Sequence, residues 1–75
     1  MDIDEFVENF FSEFEETPRE AFTPSTIFKE LEEWNSLTAL SIISMIDDQY
    51  DKTITGADLR KLDTIEDLFN FVCSK

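Results

Sequence analysis

The chain has 75 residues, 41% of them apolar, with 18 Asp and Glu against 6 Lys and Arg and a formal net charge of −12. That length predicts one small domain, residues 1–75, with a thin core, and so negative a surface repels nucleic acid and anionic membranes while attracting basic proteins. With one Cys and no His, an intrachain disulfide, the usual zinc sites and a histidine base are all excluded.

The first helix is expected from about Asp2 to about Glu15. Ile3, Phe6, Val7, Phe10, Phe11 and Phe14 trace one apolar helical stripe, Asp2 with Glu5 fits a capping-box start, and Pro18 forbids continuation. Glu13, Glu15 and Glu16 crowd an end where the helix dipole disfavours negative charge. They read either as solvated acids or as acids facing a partner. A linker from about Glu16 to Ile27 holds Pro18 and Pro24 and is long for so small a domain. Phe22, Ile27, Phe28 and Leu31 are expected to pin it to the core, with a helical turn around Phe28 to Glu32.

The second helix is expected from about Ser36 to Tyr50, with Asn35 as N-cap. At about 3.6 residues per turn, Ala39, Ile42, Ile43, Ile46 and Tyr50 gather on the core side. Leu37, Leu40, Ser41, Ser44, Asp47 and Asp48 gather on the other, with Met45 on the flank. Two outward leucines beside carboxylates fit a small docking patch with a charged rim. A short helix is expected from Gly56 to Lys61 behind Thr55, with Ile54, Leu59 and Leu62 inward. The last should run from about Ile65 to Cys73, with Thr64 as N-cap and Asp67 at its third position. Ile65, Leu68, Phe69 and Val72 form its core stripe, Phe71 points away from it, and Cys73 reads as a small hydrophobe. The expected fold is all-α: a small four-helix bundle, three main helices and one short one, with a long first loop.

Catalytic equipment is missing from the pattern. Ser36 has no neighbouring base in sequence, and Lys29, Lys52, Arg60 or Lys61 can reach it only through the fold. A calcium loop fails as well: with Gly56 at its sixth position, Leu62 falls where a bidentate Glu is needed. No metal site is expected. Instead, a Ser36 hydroxyl at a helix entrance lies beside unpartnered N–H groups, where the dipole favours an anion. It reads as an attachment point suited to a phosphate rather than as a nucleophile. The Met-Asp-Ile-Asp start is acidic where a targeting sequence would be basic, so a cytoplasmic location with no membrane insertion is expected.

Asn35-Ser36-Leu37, with Trp34 before and Thr38-Ala39-Leu40 after, resembles the Asp-Ser-Leu motif of acyl carrier proteins. Length, acidity, helix order, the long first loop, the acidic Ile46 to Tyr50 end of the second helix and the Thr64-Ile65 start of the last are similar too. The resemblance implies a carrier, not an enzyme. A phosphopantetheinyl transferase would attach phosphopantetheine to Ser36, flanked by Asn35 and Leu37, and acyl groups would ride on the arm as thioesters in fatty-acid, polyketide or related biosynthesis. It also implies that Asp47 and Asp48 meet basic patches on acyl-transferring and acyl-modifying enzymes, with Leu37, Leu40 and Met45 as apolar contacts. A monomer is expected.

The motif's Asp is Asn35 here, which caps as well but makes no charge-assisted contact to a basic transferase residue, so either modification is slower or Asn35 is an altered residue. The Gly common before the motif gives way to Glu32-Glu33-Trp34, with Trp34 either a lid on the loop or an anchor for a partner. Eight Phe in so small a bundle predict a filled interior, a shallow pocket and a preference for short or polar cargo. The charge alone also supports a rival, an acidic helical interaction module (an inhibitor or nucleic-acid mimic) with no prosthetic group. Such a module needs only the acids, whereas a carrier needs the Ser36 hydroxyl.

Overall fold

The computed structural model describes residues 2–75, and its helices are α1 (Ile3–Phe11), α2 (Ser36–Tyr50), α3 (Gly56–Lys61) and α4 (Ile65–Cys73). Two short 3-10 turns, Arg19–Ala21 and Phe28–Glu30, lie in the long connection between α1 and α2. The fold is the expected small all-α bundle with a long first loop, and no strand is present among the described residues.

α1 starts as expected at Asp2, but the capping bond runs from the Asp4 N–H to the Asp2 carboxylate, one residue short of the contact a capping box makes. It also ends at Phe11, not Glu15. The Ser12 hydroxyl donates to the Asn9 carbonyl, and the chain tightens through Glu13 N–H to Phe10 O and Phe14 N–H to Phe11 O. The next three amides, of Glu15, Glu16 and Thr17, then bond to the Glu33 side chain. A distant carboxylate thus offers these donors a partner outside the helix, and the helix yields. Phe14 keeps its core role from the turn that follows.

The long loop is fastened at its far end. The amides of Ile65 and Glu66 bond to the carbonyls of Thr26 and Pro24, the Phe28 amide bonds to Asp63 O, and Ile27 pairs with Thr64 in a single antiparallel bridge. This bridge turns Phe28 fully inward and leaves Ile27 42% exposed, so Ile27 holds the loop through its backbone rather than as a core residue.

Capping closes the remaining helices as the sequence indicates. Thr55 with Asp58, and Thr64 with Asp67, form reciprocal capping boxes, each satisfying two amides that the helix leaves unpaired. α2 ends at Asp51, whose left-handed φ of 56° reverses the chain. The core joins Phe6, Phe10, Phe14, Phe22 and Phe28 to Ile42 and Ile46 of α2, Leu59 of α3, and Ile65, Leu68 and Val72 of α4. Phe10 is its hub, with ring centroids 5.5 to 6.4 Å from those of Phe14, Phe22, Phe28 and Trp34. Phe69 and Phe71 both pack partly buried on its edge. Cys73 is exposed and so does not serve as a buried apolar residue. No helix among the described residues is long and apolar enough to cross a membrane.

Candidate functional site

The entrance to α2 is built by three side chains, those of Trp34, Asn35 and Thr38. Asn35 is extended, and its side-chain Oδ1 accepts the Thr38 N–H at 3.0 Å, capping the helix. The Thr38 hydroxyl donates back to the Glu33 carbonyl at 2.6 Å. Trp34, half-buried, stacks on Phe10 and packs against Phe28 with centroids 4.9 Å apart. It is therefore the lid on the loop that the sequence offered as one of two readings. Rigid neighbours on both sides hold Ser36 at the first position of α2, where it is exposed.

Glu33 anchors this segment from the other direction. Its carboxylate accepts from the backbone of Glu15, Glu16 and Thr17 and from the Thr17 hydroxyl. The Thr17 hydroxyl and those amides hold its pKa below the usual carboxylate range, against a smaller opposing effect of desolvation. One residue thus ties the end of α1 to the start of α2 and carries Thr38 on its carbonyl.

Three concave surfaces lie around the entrance to α2, one of them lined by Ser36 itself. Along α2, a groove of about 700 Å³ is lined by Leu37, Leu40, Ser41, Ser44, Asp47 and Asp48, with Glu13 from beyond α1. Leu37 is 74% and Leu40 59% exposed, so the outward face read from helical periodicity is present as expected. Met45 lines the same groove but is only 6% exposed, because its side chain belongs chiefly to the core. It offers a partner little surface. A second groove, about 520 Å³, places Glu13, Glu15, Glu16, Glu32 and Glu33 beside Asn35 and Leu37. On the opposite flank of Ser36 lies a pocket of about 300 Å³ between α2 and α3, walled by Trp34, Ala39 and Leu59 and edged by Lys29 and Arg60.

Two of these features escape the sequence. Glu33 is one acid among 18, and nothing local marks the one that turns inward. Lys29 and Arg60 are 31 residues apart and meet only because the loop is fastened to the α3–α4 connection. The Lys29 amine donates to the Arg60 carbonyl at 3.0 Å and lies 3.7 Å from Asp63, so it is committed to structure rather than poised as a base. Among the described residues, no group of three or more Cys, Asp or Glu is arranged to hold a metal ion.

The bundle thus sets an exposed hydroxyl at the head of its longest helix, with Asp47 and Asp48 further along that helix. The family model for the phosphopantetheine attachment site matches residues 5–72, and the chain belongs to that family of covalent phosphopantetheine carriers. No curated protein and no solved structure matches the chain.

Proposed function

We propose that Ser36 is the residue that carries phosphopantetheine, that residues 1–75 act as one carrier unit, and that the chain ferries acyl groups between enzymes of fatty-acid, polyketide or related biosynthesis. The observation that carries this reading is the placement of Ser36: an exposed hydroxyl at the first position of α2, capped by Asn35 and bordered by a pocket that holds two cations. In the loading reaction the Ser36 oxygen bonds to the phosphorus adjoining the pantetheine half of coenzyme A. The pyrophosphate P–O bond breaks, the adenosine bisphosphate half leaves, and the hydroxyl proton passes to the transferase. When bound, the arm supplies a terminal thiol that holds acyl groups as thioesters.

The chain's own residues do the rest. Asn35 and Thr38 fix the helix end, so Ser36 is presented in one orientation. Leu37 and Leu40 offer apolar contacts one turn apart, and Asp47 and Asp48 border them with negative charge. That combination suits transferases and acyl-handling enzymes with basic docking patches, because charge steers the encounter and desolvated leucines hold it. The interior is filled by buried phenylalanines, and the pocket beside Ser36 is about 300 Å³. Both features favour short or polar cargo.

The test is incubation with coenzyme A and a broad-specificity transferase, followed by intact-mass measurement. The proposal expects one phosphopantetheine per chain and none on Ser36→Ala. A chain that takes up no arm would return the acidic interaction module as the better reading.

A further inference from the structure

The two flanks of Ser36 carry opposite charge. On one side stand Glu13, Glu15, Glu16 and Glu32. On the other, Arg60 and Lys29 edge the pocket between α2 and α3. This is a chain with only 6 Lys and Arg, and it brings two of them to one small cavity. Lys29 is partly engaged by the Arg60 carbonyl and Asp63. Arg60 differs, because its guanidinium makes no hydrogen bond or ion pair among the described residues. Its Nη1 lies close to Gly56, within ordinary contact distance (3.9 Å) of where a Cβ would stand there, and both residues line the pocket. Arg19, the other arginine, is occupied by Glu8 and the Phe22 carbonyl.

We propose that Arg60, supported by Lys29, is the seat of the phosphodiester that joins the arm to Ser36, and that this contact lays the arm on the α2–α3 side of the helix entrance. The inference rests on the carrier reading above. A phosphodiester is a permanent anion fixed to the Ser36 oxygen, and Ser36 itself lines the pocket edged by Arg60 and Lys29, while its neighbours Asn35 and Leu37 line the acidic groove. Carboxylates repel it from one side, and an unpaired planar fork on the other matches two of its oxygens. Trp34 and Leu59 give the same pocket an apolar wall, which suits the branched methyl groups that follow the phosphate. Arg60 acts here as a positioning residue: it sets where the arm starts and leaves the thioester chemistry untouched.

The experiment uses the full chain labelled with nitrogen-15, loaded from coenzyme A and checked by intact mass. Absence of the mass gain would sink the carrier reading and this inference together. After loading, the Arg60 side-chain Nε–H resonance should move downfield and its exchange with water should slow, while that of Arg19 stays in place. The phosphorus-31 line of the loaded chain should move toward that of the same loaded chain unfolded in urea in Arg60→Gln, and by less in Lys29→Gln. Arg60 is exposed, so the fold should survive the substitution, and the backbone amide spectrum of the unloaded variant checks this. An Arg60 resonance indifferent to loading would overturn the proposal. So would one that moves only when a succinyl group is placed on the thiol, because the seat would then belong to a cargo carboxylate.

Discussion

The carboxylate of Glu33 accepts the hydroxyl and the backbone N–H of Thr17, sixteen residues earlier in the chain. Through this pair the end of α1 is bound to the turn that presents Ser36. The same carboxylate takes the amides of Glu15 and Glu16, so an anion satisfies donors that would otherwise depend on water.

Acid should therefore loosen this junction. The Glu33 pKa is lowered in the folded state, so its contribution to stability is complete above the unfolded value of about 4.3. The contribution disappears as pH falls through the lowered folded value. Asp67, lowered by the Thr64 amide and hydroxyl, behaves the same way at the start of α4. Thermal melts of Glu33→Gln should lie below those of the parent at pH 7 and converge with them toward pH 3. If removal of one negative charge from a chain of −12 mattered more, the variant would instead melt higher at pH 7.

The aromatic hub should tolerate no truncation. Phe28 is fully buried against Phe10 and Trp34. Phe28→Ala should cost about 3–5 kcal/mol, most of the margin a small domain holds. Urea unfolding followed by Trp34 fluorescence measures this, and a loss under about 1 kcal/mol would mean the cluster is not the core's centre.

How much of this could be read from the sequence differs by element. α2 and α4 are legible because a capping residue and an apolar period agree at each start, and the place of Ser36 at the head of α2 is legible for the same reason. The end of α1 is not, since Phe14 continues the helical period while Glu33, far along the chain, draws the next amides away. Ile27 looks like a core residue until its bridge to Thr64 fixes which of Ile27 and Phe28 faces inward. Met45 falls on the flank of a helical wheel, yet a bundle this small buries its flanks too. The Lys29–Arg60 edge is a product of tertiary closure, and composition only hints that cations so scarce are placed with purpose.

The docking face should separate from the fold. Leu37 and Leu40 are largely exposed, so Leu37→Ala and Leu40→Ala should each change stability by less than about 0.5 kcal/mol while slowing loading by the transferase. Asp47→Asn with Asp48→Asn should also slow it. Loading of the parent should fall with added salt, because the Debye length shrinks to about 10 Å at 0.1 M. Salt-independent loading would point to the leucines alone.

Asn35 can be tested for both of its roles. Asn35→Ala should cost about 1 kcal/mol, or roughly 4–8 °C in melting temperature for a chain of this size. Asn35→Asp should keep the cap and load faster, through the charge it offers a basic transferase residue. An unchanged rate would mean that Asn35 serves the helix only.

A filled interior predicts that cargo length brings no stability. The acetyl-loaded and hexadecanoyl-loaded chains should melt within a degree or so of each other, since a buried methylene would contribute about 0.8 kcal/mol. A large rise for the long chain would show that the phenylalanine core opens to admit it.

The most direct measurement is the site of attachment itself. A chain loaded from coenzyme A, digested and sequenced by fragmentation mass spectrometry should carry the whole added mass on Ser36. An arm on Ser41, Ser44 or any other hydroxyl, or on none, would contradict the account.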